Sequence, residues 1–582
     1  MARYTPPLQD LGFVLHDMLR AGHTLAGLPR HAEVGAELLD QVAEEAGRYA
    51  AERILPLNRV ADQAGCAWRD GRVSTPPGFP ETYRDFRQLG WPAMCADVRD
   101  GGQGLPRLAF SLVGEMLSSA SHAFSMYACI NHCAAACLRH SADEPLRRAW
   151  LPRLASGEVI ASMCMTEPQA GSDIGLAATR AVPAPEGGYR LTGAKIFASG
   201  AEQDLSENIM HLVLARLPDA PAGSRGLSLF LVPKLLDDGS SNDVHCDGIE
   251  HKMGLHGSAT CSLRFEGSRG WLVGEPHQGL KAMFPMMNEA RLLSGLQALG
   301  LSELGLQHAL AYARERRQGR RPGDTRPCPI VEHPDVQRML MAQKAWTEGA
   351  RAFVHWTALL IDEAEWHPDP ATRRDTAAVV GLLTPIIKGF LTENAQQSLS
   401  LALQVHGGHG YIAETGIEQL ARDARILTIY EGTTGIQAQD LLMRKVLADQ
   451  GRALGLLLAW MREWLDGRQA GPGMQPYAAP LAGAMTALQS ATAMLADQER
   501  ARPGAALQAC SPYLRLAGHT VLAFLWARAA AAAQPEAARG SAWHQAKLAT
   551  ARFYMTQLLP ERHQLSAMLE APPEYMSQGL AA

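Results

Sequence analysis

Glu431 stands between Tyr430 and Gly432, directly after the apolar run Ile426-Leu427-Thr428-Ile429. A carboxylate in that setting is partly desolvated, which raises its pKa toward the range where it works as a general base. A lone Glu in a loop is more often a surface charge, so this reading leans on its surroundings. A second segment, Met163-Cys164-Met165-Thr166-Glu167-Pro168-Gln169-Ala170-Gly171-Ser172-Asp173, takes an apolar strand to Thr166 and then turns at Pro168, Gly171 and Ser172. The backbone N–H groups and hydroxyls of such a turn can hydrogen-bond a polar ring edge or a phosphate. Cys129, His132, Cys133 and Cys137 invite a metal reading. On one straight helix Cys129 and Cys137 lie about 12 Å apart along the axis, whereas zinc holds sulfur at about 2.3 Å. These side chains are therefore expected to line a packed face, and no metal is expected.

The elements that must position these groups follow from hydrophobic spacing. Leu38, Leu39, Val42, Ala46, Tyr49, Ala50, Ile54 and Leu55 recur at helical intervals, as do positions in 80–89 and 108–138. After Gly157 the pattern changes to short alternating or β-branched runs at 159–165, 189–197, 209–215, 227–232 and 261–265, which predict an antiparallel β unit. Helical spacing returns after Gly279. One helix is predicted over 287–317, another from Pro334, and a third with Thr384 as N-cap and Pro385 at its first position, ending at Gly407-Gly408. The breaker Gly467–Pro476 precedes an Ala-rich helical tail. The expected fold is α+β. Its parts are an N-terminal extension (1–35), a helical domain (36–158), a middle β domain (159–278), a helical bundle (279–465) and an extra C-terminal helical domain (477–582). The glycines of His406-Gly407-Gly408-His409-Gly410 follow a helix instead of opening one, so they are no Rossmann fingerprint.

The 582 residues carry 54 basic and 59 acidic side chains, a net charge of -5, with no basic block that would track a nucleic-acid backbone. Between Leu117 and Leu138 no charged residue occurs, but His122, Asn131 and His132 make a buried helix the better expectation than a membrane span. The N-terminal residues lack the pattern of a secretory signal. Ten scattered cysteines suit a reducing compartment. A cytoplasmic location is expected.

Three segments resemble the acyl-CoA dehydrogenase family, in the family's order and at compatible spacing. They are the Met163–Asp173 run, Gln404-Val405-His406-Gly407-Gly408-His409-Gly410-Tyr411, and Arg422-Asp423-Ala424-Arg425 leading into Ile429-Tyr430-Glu431-Gly432-Thr433-Thr434-Gly435-Ile436-Gln437. The resemblance spans about residues 36–450. The chain length, His251-Lys252-Met253-Gly254, Glu207-Asn208-Ile209, Arg317-Gln318-Gly319-Arg320 and the C-terminal segment look like the family's large bacterial subgroup.

The resemblance implies FAD as cofactor, an acyl-CoA substrate and electron-transfer flavoprotein as acceptor. It also implies a homodimer or homotetramer, because a neighbouring subunit completes the cofactor site. Met163, Met165 and Thr166 would face the flavin, with Gly171 and Ser172 reaching the FAD pyrophosphate or the CoA. Phe197 and Ser199 occupy the positions where relatives often place a Trp and a Thr. Arg316 would clamp the pyrophosphate bidentately from the neighbouring subunit, beside Gln404 and Gly408. Thr433 and Gln437 would contact the cofactor, with Gly435 where relatives often have Gln or Glu. Asn288, in place of the usual Asp, and Arg291 would meet the CoA, while Tyr430 and Gly432 would border the acyl chain. Glu431 would take the α-proton of a fatty acyl-CoA or of 3-methylmercaptopropionyl-CoA, the thioester oxygen being held by the Glu431 N–H and a flavin hydroxyl. Some relatives carry the base just before the helix arginine; that position is Ala290 here, and Glu289 is rotated about 100° from it. An acyl-CoA oxidase, or a flavoprotein of this fold that binds without turnover, is the alternative.

Overall fold

The computed structural model describes residues 3–467, 471, 473–571 and 579–580. Two compact units divide the chain. One comprises Tyr4–Pro6 and Ala43–Leu293, the other Pro7–Val42 and Ser294–Ala582 together with Arg3.

The first unit joins helices to a β domain. Residues 117–138, expected as one buried helix, are two helices, Arg107–Ala120 and His122–Ser141. Ser121 separates them in an extended conformation, and its hydroxyl accepts the Phe124 N–H at 3.3 Å. A serine N-cap within an apolar run escapes a hydropathy reading, because only its backbone turns. Cys129, Cys133 and Cys137 are buried along the second helix.

After the small hairpin β1 (Ala67–Arg69) and β2 (Arg72–Ser74), the β domain contains seven strands. They are β3 (Val159–Cys164), β4 (Arg180–Pro183), β5 (Tyr189–Ser199), β6 (Asn208–Arg216), β7 (Leu227–Pro233), β8 (Val244–Ile249) and β9 (Thr260–Val273). The order is β3-β6-β4-β5-β9-β7, with β8 on β9 and a further β6–β7 pairing. The pairing is antiparallel except for β3–β6 and β4–β6, which are parallel. Alternating side chains set the faces of a strand but not its direction, so the sequence did not distinguish these two. Leu191, Val213, Phe230, Val232, Leu263 and Phe265 fill the interior. The runs at β4 and β8 had no expected strand; both are short or half-exposed.

The helix expected at 287–317 runs from Gly279 to Glu315, with Pro285 inside it and the junction of the two units at Leu293 and Ser294. Its early start is secured by partners distant in sequence: Cys137 Sγ and Ser141 Oγ donate to the Ala282 carbonyl at 3.2 and 3.1 Å.

In the second unit Pro334 opens the helix Pro334–Trp366, as expected. Thr384-Pro385, in contrast, does not start a helix. Helix Pro370–Ile386 begins at the N-cap Asp369, whose carboxylate accepts the Ala371 and Thr372 N–H groups at 3.2 and 3.0 Å. Thr384 Oγ1 donates back to Val380 O at 2.8 Å. The ring of Pro385 is absorbed because the helix widens into a π-turn, Ile387–Leu391, before continuing as Thr392–His406. That helix stops where Gly407 takes a φ of 58°, as the glycine pair predicts.

Positions 468–470 and 472 of the breaker lie outside the described residues. The flanking helices end at Asp466 and resume at Gln475. Helices Gln475–Ala501, Cys510–Ala538, Ala542–Phe553 and Glu561–Glu570 belong to this unit, as does the N-terminal extension from Pro7 onward. Phe13 meets Trp543 edge-on at 5.3 Å, and Arg528 Nη2 donates to Met18 O at 3.0 Å. Two stretches, 370–411 and 505–538, are long and apolar enough to cross a bilayer by composition, but 72% and 83% of their apolar windows are buried within the protein.

Candidate active site

In the β domain, Met163 near the end of β3 and Met165 just beyond it are half-buried and alternate with the buried Cys164. Thr166 O accepts the Ile196 N–H at 2.9 Å, which joins the end of the first motif to β5. There β5 breaks register between Lys195 and Ala198, and the bulge turns Phe197 into the left-handed region, φ 57°, with its ring 58% exposed. A large apolar ring held outward by a strained backbone offers a flat surface. Ser199 is half-buried two residues on. Gly171 and Ser172 lie at an exposed turn, and a Cβ built on Gly171 would meet no atom within 4 Å.

The clamp under this turn is an ion pair that motif reading missed. Lys195 Nζ, fully buried, donates to Glu167 Oε1 at 2.7 Å and to Met165 O at 3.1 Å. Glu167 also accepts the Ala178 N–H at 2.7 Å and both donors of Thr179, N–H at 3.1 Å and Oγ1 at 2.7 Å. Burial alone would raise the Glu167 pKa; Lys195 and these donors outweigh it and hold the carboxyl down to about 2. A carboxylate depressed in the folded state stabilises fully above its unfolded value, near ~4.3. That contribution is lost as pH falls toward about 2. Unfolding free energy is thus expected to drop across this window, and Glu167→Gln to flatten part of the acid limb. Denaturant titrations at stepped pH check it, and an unchanged limb in the variant would refute the clamp.

Asn288 is exposed and Arg291 buried, so the pair, three residues apart on one helix, divides between two environments. Glu289 is mostly but not wholly buried and faces Arg107 Nη2 at 3.3 Å and His132 Nε2 at 3.4 Å, while His132 stacks on Phe110 at 3.9 Å. Burial opposes the charge of Glu289, but Arg107 and His132 hold its pKa down to about 2. An anion so stabilised is a poor base.

In the helical unit Glu431 adopts φ 56° and Gly432 φ 88°. A left-handed non-glycine residue costs about 1–2 kcal/mol, so neighbours must hold Glu431 there. Gln437 Nε2 donates to Glu431 O at 2.9 Å and to Gly432 O at 3.4 Å. Lys388 Nζ donates to Gly432 O at 2.6 Å. Its φ favours glycine at 432, and a Cβ there would come within 2.8 Å of Gln437 Nε2 and push on that amide. Thr433 caps helix Thr434–Gln439, Oγ1 accepting the Ile436 N–H at 3.4 Å. Thr434 Oγ1 donates to Glu393 Oε1 at 2.7 Å. The Tyr430 hydroxyl turns inward to Gln297. Burial, reinforced by the Glu431 charge, raises its pKa.

Gln437, expected at the cofactor, is wholly buried, and its amide N–H serves the 431–432 carbonyls. One expectation needs correction. Arg316, expected within a helix, is the first residue beyond one. Its N–H donates to Tyr312 O, and its carbonyl accepts the Ile330 N–H, both at 2.8 Å, which leaves the exposed side chain on a loop. The helix stops early because residues 317 and 329 form a β-bridge. Gln404, Gly407 and Gly408 are also exposed in this unit, and nearby Tyr312 stacks on His406 at 4.5 Å and reaches His409 Nδ1 at 3.2 Å.

Family models match most of the chain: acyl-CoA dehydrogenase N-terminal domain (37–158), middle domain (162–268) and C-terminal domain (277–446), and an acetyl-CoA dehydrogenase C-terminal-like domain (457–578). The sequence is 39% identical over 570 residues to a 3-methylmercaptopropionyl-CoA dehydrogenase from Ruegeria pomeroyi, covering 96% of each chain. It is 33% identical, again over 96% of both, to a broad-specificity linear acyl-CoA dehydrogenase from Mycobacterium tuberculosis. Among solved structures, a Bacillus anthracis acyl-CoA dehydrogenase complexed with FAD superposes with a TM-score of 0.74 at 21% identity, covering 94% of this chain and 90% of that one.

Proposed function

The chain belongs to the acyl-CoA dehydrogenase family of oxidoreductases, and from that premise we propose that it uses FAD to convert an acyl-CoA thioester into its trans-2-enoyl-CoA, passing electrons to electron-transfer flavoprotein. The observation that carries this reading is the left-handed Glu431-Gly432 turn, which presents a carboxylate on a backbone fixed by Lys388 and Gln437.

The residues fit FAD. Phe197 offers an exposed, rigidly held ring, Met163 and Met165 a polarizable edge, and the open Gly171-Ser172 turn N–H and hydroxyl donors. Thr166 and Ser199 add hydroxyls on the same two segments. Arg316, exposed with Gln404 and Gly408, fits a phosphate of a neighbouring subunit, in keeping with a homodimer or homotetramer in the cytoplasm. Bound FAD supplies the acceptor for the hydride that leaves the substrate's Cβ.

The chain's own contribution is proton chemistry and placement. The α-proton of a thioester is a weak acid, and it becomes removable when the thioester oxygen meets a fixed donor, here the Glu431 backbone N–H. The Glu431 carboxylate then takes the proton from Cα as the Cβ hydride departs, leaving the Cα–Cβ double bond. Gly432 leaves space for the acyl chain beside Tyr430, and Asn288, Arg291 and Ser172 bind the CoA portion. Thr433 holds the start of the helix behind the base.

The substrate is either a fatty acyl-CoA or 3-methylmercaptopropionyl-CoA. Turnover of the purified holoenzyme with electron-transfer flavoprotein, against a ladder of straight-chain acyl-CoAs and 3-methylmercaptopropionyl-CoA, assigns it. Enoyl-CoA formation that depends on the flavoprotein is expected; stoichiometric hydrogen peroxide in air without it would make the protein an oxidase.

A further inference from the structure

Lys388 lies 44 positions before the carbonyl it holds. It is fully buried within the π-turn Ile387–Leu391, an irregularity that recurs at functional sites. Its ammonium donates to Gly432 O, while Gln437 bonds the carbonyls of both Glu431 and Gly432. Two consecutive residues with positive φ are thus pinned by their carbonyls, and one of the pins is a charge-assisted bond. The direction of the Glu431 side chain follows from that backbone.

The π-turn is itself wedged by the C-terminal helix Cys510–Ala538. A Cβ on Gly389 would meet Leu514 Cδ1 at 2.7 Å and Gln437 Cβ at 3.5 Å, so Gly389 lies between the extension and the second pin. A Cβ on Gly518 would fall 2.3 Å from Phe390 Cγ. Arg515, on the same helix, sits over the Phe390 ring at 5.7 Å and donates to Asn394 Oδ1 at 3.2 Å, and His519 packs edge-on against Phe390 at 5.1 Å. Both residues that follow Lys388 are therefore in contact with the extension, and close packing of this kind passes displacement on.

We propose that Lys388 is a positioning residue for Glu431, and that the C-terminal extension holds Lys388 in place through Leu514 and Gly518. This rests on Glu431 being the base. The extension then acts as part of the catalytic apparatus of this unit, and its effect reaches the substrate only through the 431–432 backbone.

The test compares holoenzymes of the parent, Lys388→Met, Lys388→Arg and Gly518→Ala for FAD content, acyl-CoA dissociation constant and anaerobic rate of flavin reduction. Lys388→Met is expected to slow reduction about 100-fold, the scale of a misplaced reacting group, with FAD content and acyl-CoA affinity within about threefold of the parent. Lys388→Arg, which keeps a charged donor, restores most of the rate. Gly518→Ala, whose methyl must displace Phe390, slows reduction about fivefold at unchanged affinity. In a Glu431→Gln background Lys388→Met is expected to change the residual rate less than about twofold, because a residue acting through Glu431 has nothing left to position.

Parental reduction rates in Lys388→Met overturn the assignment, as does an equal fold-loss with and without Glu431. If Lys388→Met fails to fold, Gly518→Ala decides: slower reduction at parental affinity supports the proposal and an unchanged rate overturns it. A parent reduced by no acyl-CoA overturns the proposed function and this assignment together, whereas a reduced parent beside an equally fast Lys388→Met overturns this assignment alone.

Discussion

Replacing Glu431 with Gln is expected to leave FAD bound and acyl-CoA affinity nearly unchanged while lowering the rate of flavin reduction by on the order of 10²–10⁴. The amide preserves the size of the carboxylate, and the φ of 56° depends on the backbone bonds from Gln437 and Lys388, which the substitution does not touch. What it removes is basicity. Two carboxylates that could compete for the role are committed elsewhere: Glu167 to Lys195, and Glu289 to Arg107 and His132. A Glu431→Gln enzyme that bound acyl-CoA and reduced its flavin at the parental rate would remove the proton chemistry from this turn.

The largest effect on stability is expected from Arg351→Met. Arg351, 1% exposed, binds Asp10 Oδ2 and Glu303 Oε2, each at 2.6 Å. Lys547 contacts Asp10 and lies 2.6 Å from Glu348 Oε2, while Lys344 pairs with Glu348. Burial would raise the Asp10 pKa, but Lys547 and Arg351 outweigh it and hold the carboxyl well below the usual range. Removing the guanidinium takes its partner cation from the buried Glu303 and leaves Asp10 with Lys547 alone, a loss of about 3–5 kcal/mol. The guanidinium-chloride midpoint should fall accordingly. It should recover in part when Glu303→Gln is added, since one stranded charge is then gone. The Asp10 contribution, a depressed carboxylate, is present above about pH 3.9 and disappears as pH falls below it toward the folded-state value. An unchanged midpoint in Arg351→Met would show that the cluster is not a single electrostatic unit.

Those two sites show where sequence reading reaches and where it stops. The Tyr430-Glu431-Gly432 run and the Thr166 turn are contiguous, so residue types and spacing expose them. The clamps beneath them, and the separate Arg351 cluster, are not contiguous. Lys195 meets Glu167 across 28 positions, Lys388 meets Gly432 across 44, and Asp10 meets Arg351 and Lys547 across 341 and 537. No local pattern marks a lysine that will be buried, since Lys is ordinarily an exposed residue. Helical periodicity located the long helices, but not the N-cap of Ser121 or the π-turn after Pro385, both of which depend on backbone geometry and not on hydrophobic spacing. The α+β organisation was legible because the hydrophobic spacing changes from helical to alternating after Gly157 and back to helical after Gly279. The parallel pairings of β3 and β4 with β6 were not, because period says nothing of strand direction.

Oxidation of an acyl-CoA with Glu431 as base is tested by anaerobic stopped-flow absorbance of the holoenzyme mixed with the acyl-CoA of the ladder that turns over fastest. Rapid bleaching of the flavin with one enoyl-CoA formed per flavin is expected in the parent, the same in Glu289→Gln molecules that retain FAD, and almost none in Glu431→Gln. Bleaching at the parental rate in Glu431→Gln, or its loss in FAD-bearing Glu289→Gln, would contradict it.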